Sequence, residues 1–311
     1  MARDVSYFVY ILLNNVVPLS LLIALGIVLQ RAFHLDIKTL SKLNFYLFSP
    51  AIMFQMLYES ELSFKVMGQV LLFFFVFFFA LTAVVEIVIR LRGYKGGMRP
   101  AMRNSVLFYN SANYAIPLNQ LVFVNDPFTL SIQIIVMMMQ SLIPNTYGVY
   151  SVNAHKQKLK DTMKTILSMP VIYVIPVALI MRGFHIPVPH PAYISIDYIA
   201  KGFIATALTT LGVQLGTMKW ELKLRDVAIS NVLRLCVGPL LGFFIVWTLG
   251  FHGDMAKALI LSCAVPTSLS SVLLAVEFDN EPEFSSQAVF SSTVFSIFTV
   301  TLVIYLIQFV G

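Results

Sequence analysis

Read for hydrophobic period, the 311-residue chain is a succession of apolar runs separated by short polar connectors. Each run holds roughly 20 residues, enough for a helix to cross a hydrocarbon core of about 30 Å. The pattern predicts ten spans, at about 6–31, 37–58, 64–91, 99–124, 127–153, 166–183, 192–217, 223–249, 254–277 and 284–309. Span three contains "LLFFFVFFFA", a face that suits only lipid or a helix interface, and Pro50 is expected to kink span two. Span four stands apart. Between Tyr109 and Gln120 it packs three Asn, a Ser, a Gln and a Pro into twelve residues. Asn and Ser compete for backbone hydrogen bonds, while Pro removes a donor and clashes with the preceding turn. Within a bilayer such a break is tolerated only where protein buries it or it lines a wet cavity. Span nine has a similar centre, "LSCAVPTSLSS" at 261–271.

The two halves echo each other. "VLQRAFHL" after span one is similar to "LIMRGFHI" after span six, and the broken spans occupy corresponding places. The predicted organisation is a five-helix repeat over 1–153, a basic linker over 154–165, and a second five-helix repeat over 166–311. Five spans is an odd number, so the repeats must be inverted in the membrane. The fold class is an all-α polytopic membrane protein with discontinuous helices four and nine. Paired interruptions in inverted halves are a sequence pointer to a transporter binding site.

Composition agrees. Hydrophobic residues make up 58% and charged residues 12%, against about 25% charged in soluble domains. The first run is too long for a signal-peptide core and reads as a retained helix. Cys236 and Cys263 fall inside spans and read as small packing residues rather than a disulfide pair. The net charge of +6 is a topology signal, not a nucleic-acid footprint. Arg31, Lys38, Lys42, Arg90, Arg92, Lys95, Arg99, Arg103, Lys156, Lys158, Lys160, Lys164, Lys219, Lys223 and Arg225 fall on one side; Arg3, Lys65, Arg182 and Lys257 fall on the other. That bias puts both termini outside the cell membrane.

Candidate chemistry gathers at the breaks. An unwound backbone presents N–H groups at the start of the second half-helix, where the helix dipole also favours an anion. Asn110 and Asn113 can add amide donors, and Ser262, Thr267, Ser268 and Ser270 can add hydroxyls. Polar groups that merely glue helices together would look similar. Gln133 and Gln140, seven apart, share an inward face of span five. Glu86 is expected to pair with Arg90, and Lys201 with Asp197, each four apart on one helix. Arg234, deep in span eight, is a candidate to balance an anionic substrate or to pair with Glu86. The acidic residues Glu277, Asp279, Glu281 and Glu283 read as a solvated connector. The histidines, at 34, 155, 185, 190 and 252, lack metal-ligand spacing, and no nucleotide, zinc-protease or nucleophile motif occurs. Neither an enzyme nor a metal or cofactor protein is expected.

Several stretches together resemble the auxin efflux carrier family, which includes bacterial malate permease-like proteins and the plant PIN auxin transporters. They are "LNFYLFSPAIMF", "NSANYAIPL", "IQIIVMMMQSLI" and "AVPTSLSSVLLAVEFDNEPEFSSQAVFSST". The family often has Gly in the span-four break, where this chain has Ala112 and Ala115. The resemblance implies that spans four and nine cross at their prolines, Pro117 and Pro266. It also implies a scaffold of spans one, two, six and seven beside a moving crossover domain. The implied substrate is a small organic anion such as auxin or malate, carried as a carboxylate. By that resemblance Asn110 would contact the carboxylate; the candidate substrate-binding set at the two breaks is Asn110, Ser111, Asn113, Tyr114, Pro117, Pro266, Thr267, Ser268 and Ser270. Gln140 would belong to a polar support site behind the crossover, and Gln133, Gln140, Glu86 and Arg234 are the candidates for support or ion coupling. The related bile-acid sodium symporters place a Glu near the span-nine crossover, where this chain reads "CAVPTSLSS". The coupling ion, proton or sodium, stays open, and a homodimer is allowed. A sodium-coupled carrier, a sensor that kept the fold without transport, and a passive channel are the rival readings.

Overall fold

A computed structural model describes residues 2–59, 62–148, 151, 167–218 and 224–311. The basic linker at 154–165, with Lys219 and Lys223, lies outside the described residues. Helices dominate, as expected: α1 Ala2–Ile11, α2 Val17–Phe33, α3 Ile37–Leu43, α4 Ser49–Glu59, α5 Phe64–Arg92, α6 Met98–Leu107, α7 Ala115–Val122 and α8 Pro127–Ile143. They continue as α9 Val171–Gly183, α10 His190–Thr217, α11 Leu224–Val232, α12 Gly238–Leu249, α13 Gly253–Cys263, α14 Ser270–Glu277 and α15 Pro282–Ile307. Among the described residues six helical stretches are long and apolar enough to cross a membrane, while predicted spans four and nine are each split in two. Among the described residues there is no β-strand, only one isolated antiparallel bridge, between Tyr109 and Thr267.

Proline shapes these helices by widening rather than breaking them. A π-helical turn precedes Pro18 (Leu12–Val16), Pro50 (Asn44–Phe48) and Pro239 (Leu233–Val237). Proline has no N–H to give the carbonyl four residues back, and its ring presses on that carbonyl. A single wide turn relieves the clash and keeps the helix continuous. The kink expected at Pro50 is therefore a π turn that carries Asn44, whose amide donates to Thr210 Oγ1 at 2.7 Å on α10.

Local equivalences run further than the sequence echo. His34 and His185, the next-to-last residues of the two echoing segments, both adopt left-handed backbone, with φ of 49° and 52°. After α7, Phe123-Val124-Asn125-Asp126-Pro127 turns into α8; after α14, Phe278-Asp279-Asn280-Glu281-Pro282 turns into α15. Asn125 N donates to Gln120 O at 2.8 Å, and Asn280 N donates to Ala275 O at 2.7 Å. The shared Phe-x-Asn-acid-Pro pattern is legible in the sequence once the turns are seen.

The helices pack in two groups. Helices α2, α4, α9 and α10 pack on one another, and α5, α6, α8 and α11 to α15 form the second group. An apolar seam joins them, with Ile52, Met53 and Leu57 of α4 against Ile116 of α7 and Ile134 and Met137 of α8. Outward faces are apolar too: Phe75 and Phe79 of α5, Phe244 and Trp247 of α12, and Phe298 of α15 are exposed. Lipid is as apolar as these side chains, so close packing and polar contacts, not burial from water, hold such helices together. Glycines bring α2 and α10 close together. A Cβ on Gly26 would lie 2.2 Å from Thr209 O, and one on Gly212 would lie 2.0 Å from Ile23 O.

Replacing either glycine must push the backbones apart. Gly26→Ala and Gly212→Ala should each destabilise by about 1–3 kcal/mol, read as a lower thermal midpoint in detergent. Gly68→Ala on α5, whose Cβ meets nothing within 4 Å, should be neutral or stabilising by up to about 1 kcal/mol. Equal behaviour of the three variants would remove the packing argument.

Candidate functional site

The site is built where two helices stop inside the protein. Helix α6 ends at Leu107 and helix α13 at Cys263, and α7 and α14 begin again at Ala115 and Ser270. The intervening backbones cross as short extended pieces. Asn110 N donates to Pro266 O at 2.9 Å, and Ser268 N donates to Phe108 O at 2.8 Å. These reciprocal bonds flank the Tyr109–Thr267 bridge and relate the two breaks by a local two-fold.

The crossing point differs from the one expected. It lies at Tyr109 and Thr267, beside Pro266 but eight positions before Pro117. Pro117 instead occupies the third residue of α7, where a backbone N–H would have no partner within the helix. Proline is tolerated there for that reason and marks where the helix restarts.

Neighbouring helices satisfy the backbone that the breaks expose. Gln140 on α8 accepts from Tyr109 N through Oε1 and donates to Leu107 O through Nε2, both at 3.3 Å. Gln133 Nε2, two turns earlier, donates to Ser111 O at 3.3 Å. The shared inward face predicted for these glutamines is therefore a brace behind the first break. The second break leans on α15, whose Ser292 Oγ accepts from Thr267 N at 3.1 Å. Ser292 was not singled out from the sequence. Its signal is the polar stripe Ser285, Ser292 and Ser296, spaced seven and four along an apolar helix.

The predicted site residues divide by what their side chains already do. Thr267 Oγ1 donates to Ser105 O at 2.7 Å and is fully buried. Tyr114 is buried, and its hydroxyl accepts from Ser296 Oγ at 3.0 Å. Ser111 and Pro266 are buried in the crossing itself, and Pro117 is buried in the first turn of α7. Asn110 Oδ1 accepts from Asn113 N at 3.1 Å, closing a turn and leaving the amide donor group for other use. Ser268 Oγ accepts from Ser270 N at 3.2 Å in the matching turn. Asn113, Ser268 and Ser270 are half-buried, so they are the accessible polar members of the set. Ala112, in the first turn, lines a cavity of about 40 Å³ with Phe45, Ser49, Pro50, Met53, Met137, Ser141 and Pro170. That cavity sits on the seam between the two helix groups.

Two charge assignments need correction. Glu86 binds not Arg90 but Arg99 Nη2 at 2.9 Å and Arg103, whose Nη1 also donates to Ser151 Oγ at 2.8 Å. Gly93, at φ 68°, ends α5 and lets α6 return alongside it, so a pair of arginines from another helix reaches the carboxylate while Arg90 stays exposed. Arg234 does not meet Glu86 either. It is fully buried, with Nη1 donating to Val106 O at 3.1 Å, Nη2 donating to Cys263 O, and the Tyr109 ring 4.6 Å away. Lys201 pairs with Asp197 at 2.6 Å, as expected, with its side chain mostly exposed. Both cysteines are free, Cys236 exposed and Cys263 buried. Outside the spans, Tyr94 donates to Asp226 Oδ1 at 2.5 Å. Partial burial, and then that carboxylate, raise the Tyr94 hydroxyl above its ordinary range.

Gln140→Leu would leave Tyr109 N and Leu107 O without their side-chain partners in a buried place. We expect a loss of about 1–3 kcal/mol, seen as a lower thermal midpoint. A midpoint equal to that of the unaltered protein would show that the brace adds nothing.

Comparison with known proteins supports a membrane transporter. A 107-residue segment is 24% identical to a protein of Methanothermobacter thermautotrophicus described as an uncharacterized transporter; the match covers 34% of this chain and 35% of that relative. The family model described as membrane transport protein matches residues 11–304, nearly the whole chain. Mostly helical, multi-pass and matched over nearly its whole length, the chain belongs to this membrane transport protein family, the auxin efflux carrier group that its motifs resemble.

Proposed function

We propose that the chain is a secondary carrier of small organic anions, with carboxylates of auxin or malate type as the substrate class. The observation that carries this reading is the reciprocal crossing at Tyr109 and Thr267, with two helices restarting just beyond it. Each restart has the positive end of a helix dipole and accessible polar groups beside it. The carboxylate is held by the Asn110 amide and by Asn113, Ser268 and Ser270. Ser111, Tyr114, Pro117, Pro266 and Thr267 shape the backbone around it, and Gln133 and Gln140 support it from behind.

In this reading the ten spans form two inverted repeats, both termini lie outside, and the group containing the crossing moves against the α2, α4, α9 and α10 scaffold. The matched turns after α7 and α14, and the left-handed His34 and His185, support the internal repeat. The seam is apolar, so sliding along it breaks few hydrogen bonds. The cavity at Ala112, about 40 Å³, has room for a few waters. That volume is too small for an organic anion, so in this reading the cavity widens as the groups separate.

Asn110→Ala should lower anion uptake into proteoliposomes about 10-fold or more, the loss of one hydrogen bond to a charged group, beside a stability loss of about 0.5–1.5 kcal/mol from the turn bond to Asn113 N. Unaltered uptake would dismiss the site. A panel of carboxylates should raise the midpoint of the purified protein, because a ligand at 100 times its Kd contributes about 2.7 kcal/mol. Binding without flux would identify a sensor, and flux without saturation a channel.

A further inference from the structure

The crossing leaves a second electrostatic problem, at the ends of the two helices that stop there. Helices α6 and α13 both end there, and each brings unpaired carbonyls and the negative end of a helix dipole, equivalent to about half a charge. Both ends meet one side chain. Arg234 Nη1 takes Val106 O at the end of α6, and Arg234 Nη2 takes Cys263 O at the end of α13. The aromatic faces of Tyr109 and Phe77 lie 4.6 and 5.9 Å from the guanidinium carbon. Gly238, one turn along, makes the room: a Cβ there would sit 2.9 Å from Nη2 and 3.2 Å from Cys263 O. Among the described residues no carboxylate pairs with Arg234. Two half-charges of dipole, two carbonyls and two rings are what hold one buried positive charge.

We infer that Arg234 is a tethered cation standing where two converging helix ends would otherwise draw a monovalent cation from solution. Resting on the carrier reading above, this means that the transport cycle needs no soluble cation at the crossing. The charge moves with the crossover helices and is present at every step, so the substrate anion is balanced by the protein itself. Arg234 is then a positioning residue. It fixes the ends of α6 and α13, and through Tyr109 the register of the crossing, without touching substrate.

The test reads thermal stability and flux of the purified protein in sodium chloride, guanidinium chloride at low millimolar concentration, and choline chloride at matched ionic strength. The unaltered protein should behave alike in sodium and choline. Arg234→Ala should have a lower midpoint in choline and recover part of it, saturably, in sodium or guanidinium. Arg234→Lys should keep most of the stability in choline. A packing role alone predicts no recovery by a small cation. Three results overturn the inference: saturable sodium stabilisation of the unaltered protein, unaltered stability of Arg234→Gln in choline, or an Arg234→Ala protein that all three salts leave equally unstable or unfolded. Because stability is read without substrate, absence of anion flux in the unaltered protein would remove the carrier reading and leave this result standing.

Discussion

A helix interrupted within the membrane must have its freed backbone groups bonded by the protein, because hydrocarbon offers no partner. That requirement organises this molecule. The two breaks answer it first with each other, through the paired bonds Asn110 N to Pro266 O and Ser268 N to Phe108 O. What the crossing cannot supply comes from neighbours: Gln133 and Gln140 on α8, Ser292 on α15, and Arg234 between α11 and α12. Each neighbour thereby acquires a fixed place. The second helix group is arranged around the needs of two short extended segments.

Electrostatics follows from the same geometry. Splitting two helices creates four termini, and the crossing sorts them by sign. The negative ends of α6 and α13 share the Arg234 guanidinium, while the positive ends of α7 and α14 adjoin the half-buried turns of Asn113, Ser268 and Ser270. One side is closed by an internal cation. The other has polar side chains and partial exposure, the features of a place that can receive an anion. The polarity of the proposed site is a property of backbone direction, which side chains then tune.

The rest of the molecule works by close contact. Gly26 and Gly212 let α2 and α10 meet backbone to backbone, and Asn44 adds a hydrogen bond between helices from within a π turn. The seam toward the crossing is different in kind, with Ile52, Met53 and Leu57 facing Ile116, Ile134 and Met137. One group is thus held by glycine-mediated backbone contact, while the seam is mostly apolar, with Ser131 Oγ donating to Met56 O at 3.1 Å as a polar contact across it.

Much of this was legible in the chain. Apolar runs of spanning length, the polar breaks at 109–120 and 261–271, and the shared face of Gln133 and Gln140 all follow from period and residue type, because helix geometry and lipid solvation act locally. Partner choice did not follow. Glu86 and Arg90 satisfy the spacing rule, yet the return of α6 brings Arg99 and Arg103 to the carboxylate. Arg234 reads from the sequence as an intramembrane charge in need of a counter-ion; the fold instead gives it two helix ends more than a hundred residues from one another. Pro117 marks a broken helix, but the crossing falls at Tyr109, since only the packed backbone determines which carbonyls and amides lie opposite. The sequence by itself determined the class of the protein and where its helices break. Tertiary structure alone decided what each break and each buried charge is bonded to, because those partners are set by approach between distant segments, and no local pattern encodes that.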